Sequence, residues 1–138
     1  MPDPYRRPQF EILSRRLGES RRFIQVVSGP RQVGKTTLVR QVLADGAQAA
    51  HAVTADDPGL RDSTWLAAQW QVARQMAAGQ AGKVLVVDEV QKVQDWSETV
   101  KRLWDEDTAT GELLHVVLLG SAALPIERGL SESLAGRF

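Results

Sequence analysis

Gly29-Pro30-Arg31-Gln32-Val33-Gly34-Lys35-Thr36 follows the pattern G-x-x-x-x-G-K-[ST]. A loop of this kind turns successive backbone N–H groups inward and then opens a helix. It therefore surrounds an anion with partial positive charge. Gly29 and Gly34 permit a close approach that a Cβ would block. The Lys35 ammonium can reach terminal phosphates, and the Thr36 hydroxyl is a hard oxygen suited to one position on Mg²⁺. The motif requires a strand before it and a helix after it, and the flanks supply both. Residues 23–27 (FIQVV) read as a buried strand. Residues 35–44 place Leu38, Val39, Val42 and Leu43 on one helical stripe, with Gly46 as a stop.

Further out, apolar runs and helical stripes alternate. A helix is expected over 8–17, with Pro8 in its first turn and Gly18 at its end. A second strand is expected over 49–54, closed by the breaker run Asp56-Asp57-Pro58-Gly59. The next helix, over 63–78, carries Trp65, Leu66, Val72, Ala73 and Met76 at helical spacing. Lys83 then leads into Val84-Leu85-Val86-Val87-Asp88-Glu89, whose four consecutive apolar residues suit a strand covered on both faces. Asp95 reads as an N-cap with Glu98 as its capping-box partner, opening a helix that bears Trp96, Val100, Leu103 and Trp104 and stops near Gly111. Residues 114–119 form a fourth strand, followed by a turn at Gly120-Ser121 and a mostly helical final segment. The alternation predicts a three-layer α/β/α fold around a parallel sheet with right-handed crossovers. One domain is expected over 1–138.

In a parallel sheet, ligands sit beyond the carboxyl ends of the strands. Asp88 therefore falls near the phosphate loop, where it can hold Mg²⁺ with Thr36. Glu89 points elsewhere and is placed to orient or deprotonate an attacking water. Ser121, just past the fourth strand, is a candidate contact for a terminal phosphate or that water. Arg137 and Arg128 are downstream cation candidates, and Arg31 is a brace within the loop. His51 and His115 lack ligand spacing and read as structural, and the four tryptophans read as packing.

Seventeen basic residues balance seventeen acidic ones, so net charge gives no argument for nucleic acid or membrane binding. Six arginines crowd residues 6–22 and read as a solvated helix face, without the run of aromatics that forms a base-stacking platform. The absence of cysteine excludes disulfides and thiolate metal sites. No apolar run is long enough to span a bilayer, and the default compartment is the cytoplasm.

Together these motifs resemble the AAA+ ATPases, and in particular the prokaryotic group whose phosphate loop reads G-P-R-Q-V-G-K-T. Asp88-Glu89-Val90-Gln91-Lys92-Val93 resembles its Walker B segment, Gly120-Ser121-Ala122 its sensor-1 turn, and residues 130–138 the segment after it. The resemblance implies a P-loop NTPase that binds ATP and Mg²⁺ and hydrolyses ATP. Gly29, Pro30, Arg31, Gln32, Val33, Gly34, Lys35, Thr36 and Thr37 would hold the nucleotide, and Thr36 and Asp88 the metal. Glu89, with Lys35 and Ser121, would carry catalysis, and Arg137 would be an arginine finger. The resemblance also implies a fifth strand, a helical lid and a C-terminal domain, none of which is read in this chain. The expectation is thus the N-terminal part of a longer ATPase, with strand order 1-4-3-2 and the first strand on an unpaired edge. Such a module either turns over ATP or binds it with little turnover. A homo-oligomer, and a protein or DNA client, stay open.

Overall fold

The computed structural model describes residues 8–28, 35–56, 59, 61–121, 124 and 131–135. Helix α1 (Pro8–Gly18) leads to strand β1 (Ile24–Ser28), and α2 (Lys35–Asp45) to β2 (Ala49–Thr54). Helix α3 (Ser63–Gln75) precedes β3 (Lys83–Asp88), and α4 (Trp96–Thr110) precedes β4 (Leu114–Gly120). A last strand, β5, spans Ser131–Ala135. The strands form one parallel sheet in the order β2-β3-β4-β1-β5.

Strand periodicity sorts the core into two layers. Val27, Val84, Val86, Val117 and Leu119 face α1 and α2, where Phe10, Leu13, Leu38 and Val42 cover them. Their chain neighbours Val26, Leu85, Val87, Val116 and Leu118 face α3 and α4. The expected order 1-4-3-2 is present within this sheet.

The fifth strand corrects the sequence reading. Ser131–Ala135 pairs in parallel with β1, with Ile24 opposite Ser131 and Ser28 opposite Ala135. The segment expected to be helical is thus a strand, and β1 is not a bare edge. The cause is tertiary. Ile24, Val26 and Val27 are buried, so the second row of β1 backbone groups needs partners that water cannot supply. That demand outweighs the weak local helix preference of a Ser-Leu-Ala stretch.

Helix α3 starts where expected. The Asp62 side chain accepts from the Trp65 N–H at 2.9 Å. The helix stops at Gln75 rather than residue 78 because the Lys83 ammonium donates to the carbonyls of Arg74 and Met76. Trp70 fills the core where Val72 was expected, and Val72 lies 49% exposed. The expected capping box at Asp95 does not form. Asp95 sits at φ 57 and makes no side-chain cap bond, because a left-handed backbone turns its carboxylate off the helix axis. The cap instead uses its carbonyl, which accepts from the Thr99 amide at 3.2 Å and the Thr99 hydroxyl at 3.0 Å.

Two charged side chains anchor α4. Asp107 is 1% exposed and accepts from Trp70 Nε1 at 2.8 Å and Arg74 Nε at 2.7 Å. Arg21 donates to the carbonyls of Trp104 at 2.9 Å and Leu114 at 3.1 Å, and to the Thr108 hydroxyl at 2.9 Å. Its guanidinium also lies 3.5 Å from the Trp104 ring centroid. Burial lowers its pKa, an effect that Asp107, Glu112 and Asp105 oppose. Arg21 is therefore a clamp and not part of a solvated arginine face.

Three changes test this packing. Arg74→Met strips Asp107 of its charged partner and should cost about 3 kcal/mol in denaturant unfolding. Breaking the exposed Arg15–Glu19 pair should change stability by less than about 0.5 kcal/mol. Gly79→Ala drives a Cβ to 2.4 Å from the Ala47 carbonyl oxygen and 2.8 Å from the Ala49 nitrogen. Neither backbone atom can step aside, so a loss of about 1–3 kcal/mol is expected in the same measurement.

Candidate functional site

Strand β1 ends at Ser28 and α2 opens at Lys35, so the strand–loop–helix context of the glycine motif is present. Gly29, Pro30, Arg31, Gln32, Val33 and Gly34 lie outside the described residues, as do the Lys35 side chain, Arg128 and Arg137. Thr36 and Thr37 stand exposed in the first turn of α2. The first turn of a helix directs N–H groups and the positive end of the helix dipole outward.

Asp88 closes β3 in register with Thr54 of β2. It lies on the same face as Val86, the face that α2 covers, and period-two alternation explains why. Its Oδ2 is 3.4 Å from Thr36 Oγ1, across 52 residues of chain. That separation is long for an O–H···O bond. The two groups are hard oxygens at the carboxyl end of a parallel sheet, the type Mg²⁺ takes when substrate phosphates complete its shell. Among the described residues no group of three or more His, Asp or Glu side chains is placed to hold a metal. The donor set thus fits a nucleotide-bound Mg²⁺ and not a protein-only metal cage.

Beside this pair the backbone breaks sharply. Glu89 takes φ 53 and ψ 43, in the left-handed region, and a 3₁₀ turn follows over Val90–Lys92. Lys92 N–H donates to the Glu89 carbonyl at 3.0 Å, and Val93 N–H to that of Val90 at 3.0 Å. Val90 is fully buried in the α3/α4 layer and pins the turn. The reversal sends Glu89 away from Asp88, as expected, into a site only 6% exposed. There Glu89 Oε2 accepts from Ser121 Oγ at 2.9 Å and from Gln91 Nε2. Gln91 Nε2 also donates to Ser121 Oγ at 3.2 Å. Ser121 therefore meets Glu89 through its hydroxyl. On the opposite side, Lys92 forms an ion pair with Asp56, and Ala55 N–H donates to the Asp88 carbonyl at 2.9 Å. Both contacts hold the β2–α3 connection against the site.

Gln91 is the residue sequence reasoning missed. Residues two apart diverge on a helix, so spacing alone gave no reason to place Gln91 on Glu89. The left-handed residue and the turn together fold it back. The histidines are structural, as expected: His51 Nε2 meets Gln69 Oε1 at 2.9 Å, and His115 Nε2 meets the Glu19 carbonyl at 2.9 Å. A cavity of about 210 Å³ touches Thr36 and Asp88 at one end. It runs along the flank of α2 between Val39, Leu43, Ala52 and Val86. Those apolar walls do not suit a polyphosphate, which belongs at the helix terminus. No described helix is long and apolar enough to cross a membrane.

Comparison with known proteins bears on family and fold. A family model described as "AAA domain" matches residues 21–138. No curated protein matches the chain. Among solved structures, the RuvB Holliday junction branch migration motor of Thermotoga maritima superposes with a TM-score of 0.60 at 19% identity, over 91% of this chain and 41% of that one. A DNA polymerase III gamma subunit-related protein from the same organism gives 0.61 at 14% identity, over 92% and 45%. The chain thus spans less than half the length of each structure it resembles. At these identities the structures speak for the fold alone, that of a P-loop NTPase. The family match covers the glycine loop, the Asp88-Glu89 strand end and the fifth strand together, and by it the chain belongs to the AAA domain family.

Proposed function

We propose that this chain is a nucleotide-binding module that binds ATP with Mg²⁺ and hydrolyses it. The observation that carries the reading is the approach of the Thr36 hydroxyl to the Asp88 carboxylate at the mouth of α2, with Glu89 one residue on. Backbone amides of residues 29–36 and the Lys35 ammonium would take the phosphates. Thr36 and Asp88 would hold Mg²⁺, which when bound neutralises charge on the transferring phosphoryl group. Glu89 would orient and deprotonate water, with Ser121 beside it. Arg137 is our candidate for a cation presented to the site of a neighbouring copy. We extend the domain over residues 1–138, as the AAA+ part of a longer ATPase.

Thermal melts and steady-state hydrolysis separate turnover from binding alone. A hundredfold excess of nucleotide over Kd should stabilise the chain by about 2.7 kcal/mol. Lys35→Ala should abolish that shift. Glu89→Gln should keep it while lowering hydrolysis about 100-fold or more. A melting shift without hydrolysis in the unmodified chain would identify a binding module.

The metal ligands have a different signature. Thr36→Ala and Asp88→Asn should erase the difference in ATP affinity between Mg²⁺ and EDTA, measured by calorimetry, and leave the metal-free affinity within about threefold. A preserved Mg²⁺ effect in both variants would remove them from the metal site.

A further inference from the structure

We infer that Gln91 is a positioning residue for Glu89: its carboxamide, with the Ser121 hydroxyl, fixes the carboxylate in the orientation that water activation needs. The inference rests on the reading of Glu89 as the group that activates water.

Three observations converge. The Gln91 amide nitrogen donates to both Glu89 Oε2 and Ser121 Oγ, and the Ser121 hydroxyl donates to the same Oε2. The result is a closed ring of hydrogen bonds that joins the end of β3, the 3₁₀ turn and the end of β4. The carboxamide supplies two, one to each oxygen, and the serine supplies the third. Both donors converge on the same carboxylate oxygen, so together they fix the orientation of the Glu89 carboxyl group.

The ring also carries costs that a packing contact would not. Glu89 is a non-glycine residue in left-handed backbone, and Gln91 Oε1 is buried with no hydrogen-bond partner among the described residues. Strain and an orphaned acceptor at the same point indicate a site shaped by something other than stability. The third observation is the room made for Gln91. A Cβ on Gly120 would stand 2.9 Å from Gln91 Oε1 and 2.6 Å from Leu124 Cδ2. Gly120 therefore supplies the space in which the carboxamide lies.

A base must be held within hydrogen-bond reach of the proton it takes, and displacements near 1 Å cost up to about 100-fold in rate. Gln91→Met keeps the length of the side chain but removes the donors. It should lower kcat for ATP about tenfold or more and leave the Kd for ATP within about twofold. Gln91→Ala should do the same, and guards against one variant failing to fold. Gly120→Ala, which presses on the carboxamide without touching Glu89, should lower kcat in the same direction. The decisive measurement is the double variant. In the background of Glu89→Gln, Gln91→Met should have no further effect, because a residue that acts only through Glu89 has nothing left to position.

A Gln91→Met rate within twofold of the unmodified chain, while Glu89→Gln is inactive, would overturn this assignment alone. So would a loss that adds in full to that of Glu89→Gln, or one matched by lost ATP affinity; either makes Gln91 a structural tie between β3 and β4. An unmodified chain without turnover, or Glu89→Gln at the unmodified rate, would overturn the function proposed above and this assignment with it.

Discussion

The structure depends on strands that all run the same way. Parallel pairing requires every connection to cross a face of the sheet, so helices cover both faces and all carboxyl ends lie along one rim. Once that rim exists, the alternation of side chains does the sorting. Val84, Val86 and Asp88 fall on the face of α2, whereas Leu85 and Val87 face α3 and α4. Asp88 reaches Thr36 because of that parity, and Glu89 is freed from it by a single backbone reversal. Two adjacent carboxylates thereby gain different surroundings. One faces the mouth of a helix, and the other is nearly enclosed by amide and hydroxyl donors.

What the sequence made legible follows the strength of local signals. Long apolar runs such as 84–87 and 114–119 have few conformational options, and both became central strands. The stripe Leu38, Val39, Val42 marked α2 and its inner face correctly. Asp88 approaches Thr36, as its place at the carboxyl end of a parallel strand anticipated. The failures share one cause, which is long-range demand. Residues 131–135 have no strand signal of their own and are recruited by the open side of β1. Asp95 is a good capping residue whose backbone was set by the preceding turn. Arg21 looked like a solvated charge because its partners lie 83 to 93 residues away. Gln91 could not be placed on Glu89 without knowing that the chain reverses there.

Polar anchoring follows the same logic. Lys83 directs its ammonium at carbonyls at the C-terminal end of α3, where the helix dipole favours positive charge, whereas Arg21 and Arg74 reach carbonyls in the middle of α4. The histidines spend their ring nitrogens on similar ties.

The position of β1 between β4 and β5 bears on how the chain reaches this state. Its partners are Val117–Gly120 on one side and 131–135 on the other, each about a hundred positions downstream. One side of the sheet, β4-β1-β5, is thus assembled from distant parts of the chain. Closing loops of that size is entropically slow, and it precedes most of the reward. During synthesis the first strand made waits for the last, with Ile24 and Val27 exposed to solvent in the interim. Acquisition of the native state is therefore expected to be limited by this late insertion, which makes nascent chains the stage most open to capture by chaperones or to misassembly.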